Sequence, residues 1–242
     1  MGMEKKHILQ KRGNVNNMKQ EIKIEVPNDW SAVSLKKYLA LKKDMDAYKE
    51  DPEAVLAVVF HHLCNFPVEY IQNLPIDIYT AIKDDLHTFL GKIDLPLQPF
   101  INIDGIEYGF EPDLSKMSYG AYVDISNYQS VGIDDKWAEV MSILYRPVTK
   151  KQGRLYEIAP YDGTIQKEKF EDVGMDVHLG AVFFFKTLVR DLTKDTLNSL
   201  MEMPEIPHSI KSILEKNGNL IHHLSNLPME TLRDLKKLRN NL

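Results

Sequence analysis

Three groups of side chains in this chain have the types and spacings that chemistry requires. His61, His62 and Cys64 come closest to a metal-ligand set, with His222 and His223 as a second pair. Zinc needs three or four N, S or O ligands converging at about 2.0–2.3 Å. Neighbours on a helix point about 100° apart, so His61 and His62 do not readily serve one ion, and nothing specifies that the second pair meets the first. The expectation is no metal, with structural or surface histidines and Cys64 as a small buried hydrophobe. The carboxylates Glu107, Glu111, Asp113 and Asp124 form the second group. Two acids flanking a cleft can hydrolyse a glycosidic bond, yet Glu107 sits between Ile106 and Tyr108 as the solvated face of an alternating strand does. The third is Arg146, whose guanidinium can hold a carboxylate bidentately. The Asp162-Gly163 turn or another nearby carboxylate is its expected partner, as a structural clamp. The sequence has no Gly-x-Ser-x-Gly elbow, P-loop or His-Glu-x-x-His. It is read as a non-enzyme without a cofactor.

Aromatic residues carry a different signal. Tyr108, Phe110, Tyr119, Tyr122, Tyr128, Trp137, Tyr145, Tyr156 and Tyr161 crowd one stretch, and Phe183, Phe184 and Phe185 follow. Most are expected in one layered core. Tyr and Trp also suit interfaces, because they bury large area and keep a polar tip. The interface candidates are Tyr108, Phe110, Tyr119, Tyr122, Tyr128 and Trp137, joined by Leu232, Leu235 and Leu238 of a C-terminal helix.

The elements that must position these groups follow from local chemistry. Residues 21–26 alternate apolar and charged, as a half-buried strand does. Ser34 is a predicted N-cap for a helix with Leu35, Leu39 and Met45 on one face. Asp51 caps a second helix with Pro52 in its first turn. After Pro75, the positions Ile78, Ile82, Leu86 and Phe89 mark a third. The period then changes, and apolar residues on both sides of Asp104-Gly105 predict a hairpin. Ser118 caps an aromatic helix, and another runs from Asp134 to Leu144, ending where Pro147 forbids its continuation. Residues 154–158 fit a short strand, and Asp176 starts a long apolar helix. Helices near 208–215 and 228–238 complete the chain.

The expected fold is therefore α+β and mainly helical, a multi-helix body with a small antiparallel sheet made by the N-terminal strand and the central hairpin. Residues 1–20 read as a basic flexible arm carrying Lys5, Lys6, Lys11, Arg12 and Lys19. Residues 21–203 read as a single mostly helical domain, and 204–242 as a C-terminal helical appendage. The chain has 242 residues, a formal net charge of −5 and one cysteine. That charge argues against a generic nucleic-acid binder, whose footprint is a basic surface. No apolar run approaches the length of a membrane span.

Five blocks together resemble a known family: IEVPNDWSAVSLKKYLAL, EYGFEPDLSKMSYGAYVDI, WAEVMSILYRPVT, YEIAPYDG and MDVHLGAVFFFKTL. In order and character they look like small virion-morphogenesis proteins of tailed bacteriophages, loosely associated with tail assembly chaperones, over residues 21–190. The resemblance implies a non-enzymatic assembly or minor virion protein of the head–tail or tail module. The implied partners are tail, connector or capsid proteins, with a homo-oligomer or ring as the assembled form. The implied location is the host cytoplasm during assembly, or the mature virion for a permanent component. Alternative readings are a nucleic-acid-associated phage factor using the basic arm, and an uncharacterised enzyme.

Overall fold

The computed structural model describes residues 5–11, 20–130, 136–202 and 229–241, with side-chain burial defined over 24–128, 136–188 and 233–240. The alternating residues 21–26 fall in strand β2 (Gln20–Val26). Its partner is β1 (Lys5–Lys11), antiparallel, with Lys6 opposite Glu25 and Ile8 opposite Lys23. Here the structure corrects the expected sheet, because β1 and β2 form a two-stranded sheet apart from the central hairpin. The reason is local. The basic segment itself supplies a seven-residue strand for β2 to pair with.

Helix α1 (Leu35–Ala47) starts at Ser34, whose hydroxyl oxygen accepts from the Lys37 amide at 3.3 Å. Its buried face is Leu35, Tyr38 and Leu41, three residues apart, while Leu39 and Met45 are only half-buried. Asp51 caps α2 (Pro52–Cys64) by accepting from the Glu53 and Ala54 amides, and Asn65 closes it in the left-handed region at φ 51°. Helix α3 (Ile76–Leu90) buries Ile82, Leu86, Phe89 and Leu90. The Trp30 ring packs 4.4 Å from that of Phe89. These elements form one compact unit, together with Gly174–Asp176 and the chain from Arg233 onward. The latter lies in the C-terminal helix, which spans Met229–Asn241.

The second unit comprises Asp94–Val173 and Val177–Leu232. The predicted single body over 21–203 is thus divided, and of the predicted appendage the chain from Arg233 joins the first unit. In the second unit, β3 (Phe100–Ile103) and β4 (Ile106–Phe110) flank Asp104 and Gly105, whose φ angles of 53° and 80° suit a tight hairpin turn. The sheet continues through β5 (Tyr145–Gln152) to β6 (Leu155–Ile158), in the antiparallel order β3-β4-β5-β6. Helix α4 (Tyr119–Ser130) starts at Ser118, whose hydroxyl oxygen accepts from the Ala121 amide at 3.3 Å. Every residue of α5 (Trp137–Leu144) is buried, as a helix at the centre of a body must be. Pro147 keeps Arg146 out of the helical region, so the chain passes straight from α5 into β5. Helices α6 (Lys167–Glu171) and α7 (Met175–Glu202) follow, and the C-terminal helix is α8.

One aromatic layer holds this unit together. Phe110 lies 5.2 Å from Tyr145, 5.4 Å from Phe184 and 6.0 Å from Phe185, centroid to centroid. Phe170 lies 6.0 Å from Tyr108 and 6.3 Å from Tyr145. The buried phenols keep polar partners, as they must: Tyr145 donates to the Gln98 carbonyl at 2.7 Å, and Tyr108 to Gln166 Oε1 at 3.0 Å.

Candidate interaction groove

The two faces of β4 are covered in different ways. Tyr108 and Phe110 enter the aromatic layer. On the opposite face, a Cβ added to Gly109 would lie 2.9 Å from Tyr156 Cε2 and 2.9 Å from Ile158 Cγ2. Glycine thus lets β6 fold back over β4, although β5 stands between them in the sheet. This explains why the expected alternation fails. Ile106 and Glu107 are exposed, whereas Tyr108, Gly109 and Phe110 are all buried. Glu107 lies on the open part of the strand and pairs with Lys151 at 2.6 Å. The same ammonium sits 3.6 Å from the centroid of Phe100, whose ring meets Tyr156 edge-on at 4.6 Å.

Beyond β4 the Glu111 amide donates to the Leu144 carbonyl at 2.7 Å. Its carboxylate is held by the guanidinium of Arg146, and the two side chains are only 9% and 12% exposed. Burial pushes the Glu111 carboxyl above its ordinary pKa, and the charge of Arg146 offsets part of that rise. The clamp expected of Arg146 therefore takes Glu111, not Asp162. Register explains the choice. Arg146 lies opposite Gly109, and residues two apart on an extended chain share a face, which brings Glu111 to the guanidinium. Asp162 instead accepts from the Thr164 amide at 2.8 Å and closes its own turn. Asp113 is half-buried, and hydrogen bonds from Ser115 and Lys116 hold its carboxyl down at about 2.

Beside this pair opens a groove of about 430 Å³, walled by Leu97, Phe110, Pro112, Leu114, Tyr156, Phe184 and Leu188. Its polar members are Glu111, Asp113 and Ser115. A mainly apolar concavity with a few fixed polar groups has the composition of a binding site. No protein-family model, curated protein or solved structure matches this chain.

The sequence candidates are distributed unevenly around this geometry. Phe110 is buried and also forms part of the groove wall. Tyr108 and Trp137 lie in the core, too buried to offer an interface. Tyr119 is 82% exposed but does not line the groove, and Tyr122 and Tyr128 are half-buried. Tyr161 donates to Asp124. Leu235 and Leu238 are buried in the first unit, while the surroundings of Leu232 lie outside the described side chains. Lys5, Lys6 and Lys11 belong to β1, with side chains outside the described set, and Arg12 and Lys19 lie outside the described residues. Sequence reasoning did not single out Leu97, Pro112, Leu114 or Leu188, because no local period distinguishes a groove wall from an ordinary loop or helix face.

The first candidate cluster is dispersed among separate partners. His61 Nδ1 meets the Phe66 carbonyl oxygen at 3.3 Å, and His62 Nε2 meets Asp44 Oδ2 at 2.7 Å. Cys64 is buried, and burial raises its thiol to about 12, so the thiolate needed for nucleophilic chemistry is scarce at neutral pH. His222 and His223 lie outside the described residues. Among the described residues, no group of His, Cys, Asp and Glu is placed to hold a metal ion, and no helix is long and apolar enough to cross a membrane.

Proposed function

We propose that this chain is a non-enzymatic assembly or minor virion protein of a tailed phage, acting through protein–protein contacts in the head–tail or tail module. The supporting observation is the open groove beside Glu111 and Arg146. Its walls are apolar and aromatic, and its two carboxylates already have structural roles, Glu111 with Arg146 and Asp113 with Ser115 and Lys116. Such a surface suits an apolar segment of a tail, connector or capsid protein better than a reacting substrate, which needs titratable groups free to move a proton. On this reading the protein works in the host cytoplasm during assembly, or stays in the mature virion as a ring component.

Affinity capture of the full chain from phage-infected cells, with mass spectrometry of the captured proteins and of purified virions, tests the proposal. Tail, connector or capsid proteins are expected in the captured set. Leu114→Asp, on a half-buried turn of the groove wall, is expected to reduce that capture about tenfold while leaving the fold intact. A stoichiometric virion band marks a permanent component, and absence from virions with retained capture marks a chaperone. Capture of no virion protein, or full capture by the Leu114→Asp protein, overturns the groove as the contact.

A further inference from the structure

Between α2 and the second turn of α3 the chain runs for fifteen residues, 67–81, without burying one of them. The 3₁₀ helix Val68–Asn73 has no buried residue, and the first buried position of α3 is Ile82. The segment is nevertheless apolar. Val68 and Ile76 are 45% and 77% exposed, and Ile71, Leu74, Ile78 and Tyr79 are half-buried. Single exposed apolar side chains are ordinary, whereas a contiguous run of them marks an interaction site.

This surface is held in shape from beneath. The Tyr79 ring stacks on buried Phe60 at 5.7 Å between centroids, and the Tyr70 ring meets buried Phe66 edge-on at 6.5 Å. Pro67 and Pro75 fix the backbone at the two ends of the 3₁₀ helix, with φ of −65° and −56°. A partner therefore meets a preformed surface that loses little freedom on binding.

Its charge has one sign. Residues 65–82 contain no lysine, arginine or histidine, and their acids are Glu69 and Asp77, both exposed. Glu53 of α2, also exposed, borders the same surface: burial first, and then its carboxylate, raise the Tyr79 phenol. Among the described residues none of these three carboxylates has an ion-pair partner. Lys83 marks the border, its ammonium 5.8 Å from the Tyr79 centroid. Three unpaired carboxylates around exposed isoleucine, leucine and valine specify the opposite pattern in a partner. They repel the phosphates of nucleic acid and of an anionic bilayer, and a purely apolar segment leaves them unmatched.

We propose that residues 67–81, with Glu53, form a docking surface for a cationic amphipathic segment of another protein. Its apolar side chains cover Val68, Ile71, Leu74 and Ile76, and its lysines or arginines meet Glu53, Glu69 and Asp77. The surface belongs to the first unit and the groove beside Glu111 to the second, so this contact does not depend on what the groove binds.

The probe is a short fluorescent peptide of leucine and lysine at helical spacing, titrated with the full chain and followed by anisotropy. Binding that weakens as salt is raised is expected. Val68→Ser with Ile76→Ser removes exposed apolar anchors, and Glu53→Gln, Glu69→Gln and Asp77→Asn together remove the charges. Each set is expected to weaken binding about tenfold, and the second also to flatten the salt dependence. A control with Asp94→Asn, Asp104→Asn and Glu168→Gln in the second unit loses the same charge and is expected to bind as wild type does. All of these side chains are exposed, so the variants keep their fold, which melting curves check. Equal weakening by the control reduces the effect to net charge and overturns the proposal. So does full binding by either surface variant, equal binding of a leucine–glutamate peptide, or no binding of the leucine–lysine peptide. Sedimentation without peptide tests the remaining occupant. A dimer that Val68→Ser with Ile76→Ser dissolves gives the face to a second copy, and the proposal fails.

Discussion

Tyr156 on β6 donates its hydroxyl to the main-chain carbonyl of Phe110 on β4 at 2.7 Å, reaching across a sheet in which β5 separates the two strands. The bond depends on the bare backbone of Gly109. Tyr156→Phe is expected to cost about 1 kcal/mol, the net worth of one neutral hydrogen bond. Gly109→Ala places a methyl 2.9 Å from the Tyr156 and Ile158 side chains, and overpacking of this kind costs about 1–3 kcal/mol. Urea unfolding of both variants checks the order. If the alanine variant is as stable as wild type, β6 does not press on Gly109.

Glu111 and Arg146 are predicted to be worth little as a pair and much when separated. Arg146→Met leaves a buried carboxylate without its cation, and breaking a buried pair costs about 3–5 kcal/mol. The pH dependence has a definite sign. Burial already raises the Glu111 carboxyl, and removing Arg146 raises it further. A raised pKa means that the folded state holds the proton more tightly, so the variant recovers stability as the pH falls into the carboxylate range and loses it as the pH rises. The double variant Glu111→Gln with Arg146→Met is expected to be closer to wild type at neutral pH than Arg146→Met alone. Chemical unfolding across this range compares the three proteins, and a single variant most stable at high pH would falsify the assignment.

His178 sets an acid limit. It is fully buried on α7, and its Nε2 lies 3.0 Å from the Phe170 carbonyl oxygen. Burial lowers its pKa from 6.5 to about 4. The folded state therefore favours the neutral ring. Its contribution is present above about pH 6.5 and lost as the pH falls toward 4, by up to about 3–4 kcal/mol at about 1.4 kcal/mol per unit. Thermal melts between pH 7.5 and 4.5 are expected to show a steep fall for wild type and a shallower one for His178→Gln. Equal slopes would place the acid sensitivity elsewhere.

Gly180 opposes helix propensity to packing. Alanine is favoured over glycine in a helix interior by about 1 kcal/mol, so local preference alone predicts that Gly180→Ala stabilises α7. A Cβ there would meet the Pro96 carbonyl oxygen at 2.5 Å, however, and its carbon at 3.1 Å. Backbone yields less readily than a side-chain tip, so the clash prevails and the variant is expected to be less stable by about 1–3 kcal/mol. A rise in the melting temperature would show that the 92–98 segment moves aside freely.

Local chemistry determined much of this chain from sequence alone. Ser34 and Asp51 start helices because their side-chain oxygens satisfy free first-turn amides. Asp104-Gly105 turns a hairpin because both residues accept positive φ. Pro147 stops α5 because the preceding residue is excluded from helical backbone angles. The mainly helical α+β class follows from such signals, each read within a few neighbouring residues. What tertiary structure decided involves residues far apart in the chain. β2 chose β1 as its partner, Arg146 took Glu111 over Asp162, and Tyr156 came to lie over Gly109. Tyr108 went to the core while Tyr119 stayed in solvent, although both are tyrosines of one aromatic stretch. A sequence period states which residues share a face. Which other face covers it depends on register and on the space left by each side chain, and a missing side chain at Gly109 shaped the groove wall as much as the aromatic rings around it.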